Sequence, residues 1–317
     1  MVKLAYLITA YKDANHLHRL VTALNVNADF FIHIDSRTDI TPFKMILSAF
    51  PNVSFCEHRF FVNWGGFAQV LSTRELIKCA LETNKAYTKV ISLSGTDYPI
   101  WPQHQIEAEF NKDIEFIKGY NITRSESKKQ RDKVNLYHFF RDIKVYHPGL
   151  KKLFSGCTRI ILSLTPFRKG LRPVINSTRC DVYFGSDYWA LSLACAKQVF
   201  ETMNREHEMM RYFKYSFGPS ELCVNTIVFN SAFSSKALLF EGTKYEGLLS
   251  LTPLHHIYYH KAIKIFTETD YQTLLDSHKM FFRKASTGIS DTLLDRIDVY
   301  RSQGSELKSP DKSLTAV

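Results

Sequence analysis

The 317-residue sequence has no Gly-x-Gly-x-x-Gly after its first strand pattern and no Gly-x-x-x-x-Gly-Lys-Ser/Thr anywhere. Both motifs cradle phosphates on backbone amides, so their absence disfavours a dinucleotide dehydrogenase and a P-loop ATPase. Cysteine is sparse. Cys56, Cys79, Cys157, Cys180, Cys195 and Cys223 lie far apart with no Cys-x-x-Cys pair, which argues against a zinc ribbon and a disulfide framework. No run approaches the ~20 apolar residues of a membrane span. Residues 1–8 lead straight into a strand pattern without a basic leader or a small-residue cleavage site. A cytoplasmic protein with reduced thiols is expected.

The sequence is 45% hydrophobic and 14% aromatic, enough to bury a large core as one elaborated domain or two intimate ones. Its net charge of +10 is concentrated. Residues 124–172 hold thirteen Lys or Arg against Glu126, Asp132 and Asp142, a surplus equal to that of the whole chain. A stripe of that kind calls for an anionic neighbour, and nucleic acid, an acidic glycan or an anionic membrane surface would each serve.

The first hundred residues alternate strand and helix signals. Leu4 to Ala10 is a continuous apolar run suited to a buried parallel strand, and Leu17, Leu20, Val21 and Leu24 then recur at helical spacing. Strand patterns at 30–35, 53–56 and 89–93 and helix patterns at 43–50 and 68–82 complete a βαβαβαβ series. That series predicts an α/β fold with a mostly parallel central sheet flanked by helices, and a ligand at the carboxyl ends of the strands. Polar residues stand at those ends: Thr9, Ala10 and Tyr11 after the first strand, Asp35 after the second, and Gly95 to Ile100 after the fourth. An acid in the place of Asp35 commonly bonds a ribose hydroxyl, although it serves equally well to cap a turn.

A second informative segment is Gly218-Pro219-Ser220-Glu221-Leu222, which opens a helical pattern. Proline is tolerated in a helix's first turn, so Glu221 is placed at a helix N-terminus, where the macrodipole would favour its ionised form. A charged carboxylate at a cleft edge is what a general base requires. The same acid is also ordinary first-turn helix chemistry.

Six segments occur in one order: the polar exit of strand one, His33-Ile34-Asp35, Val62-Asn63-Trp64-Gly65-Gly66, Ser94-Gly95-Thr96-Asp97-Tyr98-Pro99-Ile100, Gly185-Ser186-Asp187-Tyr188-Trp189 and Pro219-Ser220-Glu221. Together they resemble the core-2/I-branching β-1,6-N-acetylglucosaminyltransferase and peptide O-xylosyltransferase family over residues 4–286. The resemblance implies a modified GT-A fold in a single domain, 1–302, with a nucleotide-binding half (1–120), an acceptor and catalytic half (121–302) and a flexible tail (303–317). It implies inverting transfer from a UDP-sugar with Glu221 as base.

Many GT-A enzymes hold a divalent metal on an Asp-x-Asp, which this sequence lacks. The resemblance therefore implies no metal and no other cofactor, with Lys284 of Phe281-Phe282-Arg283-Lys284 as the first candidate to face the diphosphate. Lys261 stands where relatives carry arginine, and Lys264 is a nearby substitute; lysine gives up the bidentate contact. Thr9, Ala10, Tyr11, Asp35, Trp64 and Gly65 complete the expected donor site. Asp97, Arg131, Tyr137 and Trp189 are the acceptor candidates, with Asp97 equally suited to bracing its turn and Trp189 to the core. His255, His256 and His260 lack the nearby carboxylate or cysteine that a zinc site would need.

The reading is a bacterial-type enzyme of surface polysaccharide synthesis using UDP-GlcNAc, or UDP-xylose second, on a glycan acceptor. Peripheral contact with an anionic membrane through Lys151, Lys152, Arg168 and Lys169 is a further expectation. The rivals are a nucleic-acid-binding protein using the basic stripe, which lacks a recognisable reading motif, and a catalytically silent sugar-binding relative.

Overall fold

A computed structural model of the chain describes residues 3–139, 141–143, 156 and 167–306. The N-terminal apolar run forms β1 (Leu4–Ala10), which lies between two parallel neighbours, β2 (Ala28–Ile34) and β4 (Lys89–Ser94). β3 (Val53–Phe55) extends the sheet beyond β2, again in parallel. Alternation of side chains explains why β1 has no polar face. Ala5 and Leu7 enter one core cluster with Phe31, whereas Leu4, Tyr6 and Ile8 enter the opposite one with Phe30. Helix α1 (Ala14–Leu24) covers the second cluster with Leu17, Leu20, Val21 and Leu24. After the short α2 (Thr41–Ile46), α3 (Ala68–Glu82) covers the first with Val70, Leu76, Ile77 and Ala80.

The first turn of α3 finds its acceptor far along the chain. Asp142 takes the N–H groups of Phe67 at 3.0 Å and Ala68 at 3.1 Å, a cap worth about 0.5–2 kcal/mol.

From β1 the chain adds β2 and β3 on one side, then crosses to place β4 on the other. Strand order therefore reverses between β1 and β4, where open α/β sheets form a crevice at the carboxyl ends. Beyond β5 (Asp97–Pro99) and α4 (Gln103–Phe110), β6 (Glu115–Asn121) does not pair with β4. The two-residue β10 (Ala190–Leu191) lies between them, antiparallel to both. β9 (Tyr183–Gly185) pairs antiparallel with the far end of β6, and β11 (Ala237–Phe240) pairs with β6 in parallel. The main path reads β11-β6-β10-β4-β1-β2-β3 and joins strands from both sides of residue 120. An antiparallel strand starts where its parallel neighbours end, so Asp187 and Tyr188, just before β10, arrive at the carboxyl end of β4.

Further helices are α5 (Lys128–Asn135), α6 (Leu193–Arg205), α7 (His207–Lys214), α8 (Ser220–Phe229), α9 (Tyr271–Asp276) and α10 (Asp291–Glu306). The hairpin of β7 (Val174–Ile175) and β8 (Thr178–Arg179) stands apart from the main sheet. In a three-stranded sheet, β13 (Phe281–Arg283) pairs in parallel with β12 (His255–Ile257) and antiparallel with β5, setting Arg283 opposite Asp97.

α9 ends at Asp276, and Phe281 and Phe282 are fully buried in β13. α10 runs to Glu306 and so takes in residues 303–306 of the expected tail; residues 307–317 lie outside those described. No helix among the described residues is long and apolar enough to cross a membrane.

Candidate active site

A cleft of about 410 Å3 opens at the reversal point between β1 and β4. Thr9, Ala10, Tyr11, Asp35 and Trp64, all expected from the sequence, line it together. His33, Arg37, Gln69, Ser72, Ser94, Tyr188 and Arg283 line it as well and had been assigned no role. Asp35 is already engaged. Its carboxylate takes both arms of the Arg37 fork (2.9 and 2.6 Å) and the Val62 N–H at 3.2 Å. Burial alone would raise its pKa, but these donors outweigh burial and hold it below the ordinary aspartate value. His33 Nε2 accepts the Phe60 N–H at 2.9 Å, which leaves the ring proton on Nδ1. Burial depresses the His33 pKa to about 4, so the ring is neutral at physiological pH.

Glu221 lies in the first turn of α8, as the Gly-Pro spacing predicts. It does not line the cleft but stands at its border. The Gly65 backbone, next to Trp64, approaches Gly218 at the start of the Glu221 turn. Asp187 links the two: its Oδ2 accepts from the cleft residue Gln69 at 2.9 Å and from Ser220 Oγ at 3.2 Å, while its Oδ1 is buried without a partner among the described residues. Gly185 keeps this loop against α8, since a Cβ there would fall 2.3 Å from Asn225 Oδ1.

The expected effect of the helix end on Glu221 is overturned. Burial, reinforced by Asp187, raises its pKa despite the pull of Lys133. A helix terminus contributes about 0.3–1 kcal/mol, whereas each pKa unit is about 1.4 kcal/mol, so desolvation wins. Asp187 is raised in turn, chiefly by burial. Burial also lowers the pKa of Lys133, whose Nζ lies 3.5 Å from the centre of the Phe184 ring.

The turn before Glu221 depends on glycine. Gly218 has φ +63°, and a Cβ there would lie 3.2 Å from Glu221 Oε2. Gly218→Ala is expected to cost about 1–2 kcal/mol through its left-handed backbone alone, and to slow turnover by displacing the carboxylate. Thermal unfolding and kcat test this together, and an unchanged Tm would show that the turn relaxes without strain.

Arg283 lines the cleft, whereas the neighbouring Lys284 is not among its lining residues. Arg283 Nη1 donates to Thr96 Oγ1 at 2.9 Å and to Asp97 Oδ1 at 3.0 Å, and its guanidinium lies 5.3 Å from the Tyr188 ring centre. Lys284 is half-buried beside it. Burial, with Lys12 and Arg283 near, holds the Lys284 pKa below the ordinary lysine value. Lys264 is committed to Asp270 at 2.6 Å, and Lys261 is exposed outside the cleft lining.

Two acceptor candidates are displaced. Asp97 is fully buried and bonded to Ser94, His255 and Arg283, so it braces the site and offers no sugar-facing oxygen. Trp189 is 1% exposed and packs in the core, while the preceding Tyr188 faces the cleft. Successive residues of an extended segment point to opposite sides, so one position separates wall from core.

Among the described residues, several members of the basic stripe are engaged within the protein. Arg124 and Arg172 both pair with Asp181, at 3.1 and 2.7 Å. Arg131 donates to the Ser125 carbonyl, and Arg141 lies over Phe217 and Trp64. Lys169, expected to face lipid, turns inward to the Tyr212 carbonyl at 2.8 Å and Ser216 Oγ at 2.6 Å, with its pKa lowered to about 6 by burial. Lys151 and Lys152 lie outside the described residues. Tyr137 is outside the cleft lining and stacks between Phe139 and Phe167. Through His138 and Phe217 these rings continue toward Trp64, which is 80% exposed at the cleft.

Fold and site define an α/β protein with a strand-end cleft, a half-buried carboxylate pair at its border and arginines within it. The sequence profile of the core-2/I-branching enzyme family matches residues 4–243. The chain therefore belongs to that family of glycosyltransferases. It is 27% identical over 242 residues to Xylosyltransferase oxt of Drosophila melanogaster, covering 73% of this chain and 24% of the fly protein. It is 21% identical over 324 residues to the beta-1,3-galactosyl-O-glycosyl-glycoprotein beta-1,6-N-acetylglucosaminyltransferase of Bovine herpesvirus 4, covering 94% of this chain and 67% of the viral protein. The chain thus spans about a quarter of the first relative's length and two thirds of the second's. Among solved structures, the WbbM bifunctional glycosyltransferase aligns over 96% of this chain and 51% of its own, at TM-score 0.37 and 12% identity. A cytidylyltransferase from Leptospira borgpetersenii serovar Hardjo-bovis (strain JB197) aligns over 98% of both chains at TM-score 0.35 and 13% identity. Superpositions this loose carry no argument.

Proposed function

We propose that the chain is an inverting, metal-independent glycosyltransferase of modified GT-A fold that moves a sugar from a UDP-sugar to a glycan hydroxyl. One observation carries this reading: Arg283 stands in a strand-end cleft with Lys284 and Lys12 close by, and the cleft borders a carboxylate that has no ion-pair partner within 4 Å among the described residues. A leaving diphosphate develops negative charge, and clustered cations stabilise it as it forms. Glu221 then takes the acceptor proton as the hydroxyl attacks the anomeric carbon from the face opposite UDP. The exposed face of Trp64 and the ring of Phe217 beside it suit the C–H face of an acceptor pyranose.

GlcNAc is the preferred donor sugar and xylose the second. The viral N-acetylglucosaminyltransferase matches over more of this chain than the fly xylosyltransferase does. A screen of UDP-sugars for UDP release, with EDTA present, is expected to show turnover with UDP-GlcNAc above UDP-xylose. UDP binding without release from any sugar would mark a silent relative, and no UDP binding at all would overturn the donor reading.

A further inference from the structure

Arg283 enters the cleft on supports that do not themselves touch a ligand. Asp97 holds it with a carboxylate used on both oxygens: Oδ2 accepts the Ser94 N–H at 2.7 Å and faces His255 Nε2 at 3.2 Å, while Oδ1 takes Arg283 Nη1 at 3.0 Å. An ionised carboxylate can only accept, so the His255 proton sits on Nε2. The other face of the arrangement also runs through His255. Its ring packs 4.5 Å from that of Tyr188, and Tyr188 in turn underlies the Arg283 guanidinium. His255 thus touches both supports of Arg283 without lining the cleft itself.

Stability alone does not account for an imidazole here. The His255 side chain is fully buried, and its Nδ1 has no partner among the described residues. An unmatched buried polar atom costs about 1–3 kcal/mol, which a phenyl ring in the same place would avoid. What a phenyl could not do is donate to Asp97. With Oδ2 fixed by two donors, the carboxylate cannot rotate, and Oδ1 presents itself to Nη1 in one direction. Thr96 Oγ1 accepts from the same Nη1, so one arm of the guanidinium is immobilised. Nη2 has no hydrogen-bond partner among the described residues, while Nε is buried and unpartnered among them. The two N–H groups of Nη2 can serve two oxygens of a diphosphate.

We propose that His255 is a positioning residue: acting through Asp97 and Tyr188, it holds the Arg283 fork in the orientation that receives the diphosphate of the donor. This rests on the donor reading above. The test compares binding of UDP and of uridine, which lacks the diphosphate, by calorimetry and ligand-observed NMR. His255→Leu is expected to lose ~10-fold in UDP affinity, as other outer supports of a binding group do, with uridine affinity unchanged. His255→Gln, whose amide N–H stands near the place of Nε2, should stay close to wild type. A folded His255→Leu protein that binds UDP normally, or that loses UDP and uridine in equal proportion, overturns the proposal. Should that variant not fold, the wild type with 15N-labelled histidine decides: UDP must shift the His255 Nε2 resonance and uridine must not. Absence of UDP binding by the wild type would instead overturn the donor reading and remove the basis of this inference.

Discussion

Glu221→Gln is expected to lower sugar transfer by ~10² or more while UDP affinity stays near wild type. Glutamine keeps the shape of the side chain and its place in the first turn of α8, but it cannot take a proton. Burial and Asp187 raise the Glu221 pKa to about 8. The base form is then the minor one at neutral pH, and wild-type turnover should climb through pH 8. The variant's residual rate should lack that rise. Retention of the climb in Glu221→Gln would move the titration to Asp187, and near wild-type transfer would remove Glu221 from the mechanism.

The same shift has a consequence for stability. A carboxyl whose folded pKa lies above its unfolded value binds its proton more tightly in the native state. The associated stability is complete at low pH and is lost as pH rises from about 4.5 toward 8. Glu221→Gln removes this loss, so the Tm of the variant relative to wild type should grow from pH 5 to pH 8. A base kept at the expense of stability is expected where function demands a buried carboxylate.

Arg283→Ala is expected to lower kcat/KM by ~10²–10³, because a donor aimed at developing charge is worth that much in a water-poor site. It also strands Asp97 in the interior, which costs about 3–5 kcal/mol when a buried pair is broken. Arg283→Lys separates the two effects. It keeps a charge beside Asp97 and gives up the fork, so it should fold while still losing much of the UDP affinity. Lys284→Ala, at a half-buried position beside Arg283, should do less. If these cations compensate the diphosphate, wild-type activity survives EDTA. Strict dependence on added manganese would remove Arg283 and Lys284 from that role.

How legible the molecule was in its sequence depended on the range of the contacts. The strands and helices up to residue 94 were readable because burial on both faces imposes a continuous apolar run on β1, β2 and β4, and burial on one face imposes the stripe seen in α1. α3 runs from Ala68 to Glu82 where its pattern does, although the acid that caps it, Asp142, lies far away in sequence. The second half was harder. β10 is two residues long, too short for any period to mark, yet it separates β4 from β6 and carries Asp187 and Tyr188 to the cleft.

The sequence by itself determined the α/β class, the strand ends that line the cleft and the helical start that carries Glu221, because these follow from local periodicity and turn chemistry. Only the tertiary structure decided which neighbour of each pair lines the cleft: Tyr188 over Trp189, and Arg283 over Lys284. It alone set the ionisation of Glu221, through burial and an acid 34 positions away in sequence. Among the described residues it also drew basic side chains out of the stripe, sending Lys133 and Lys169 inward and pairing Arg124 and Arg172 with Asp181. Charge adjacent along a chain becomes charge adjacent on a surface only if the fold lays those residues on one face. Here a sheet register, a two-residue strand and the exclusion of water set the position and the charge of each group.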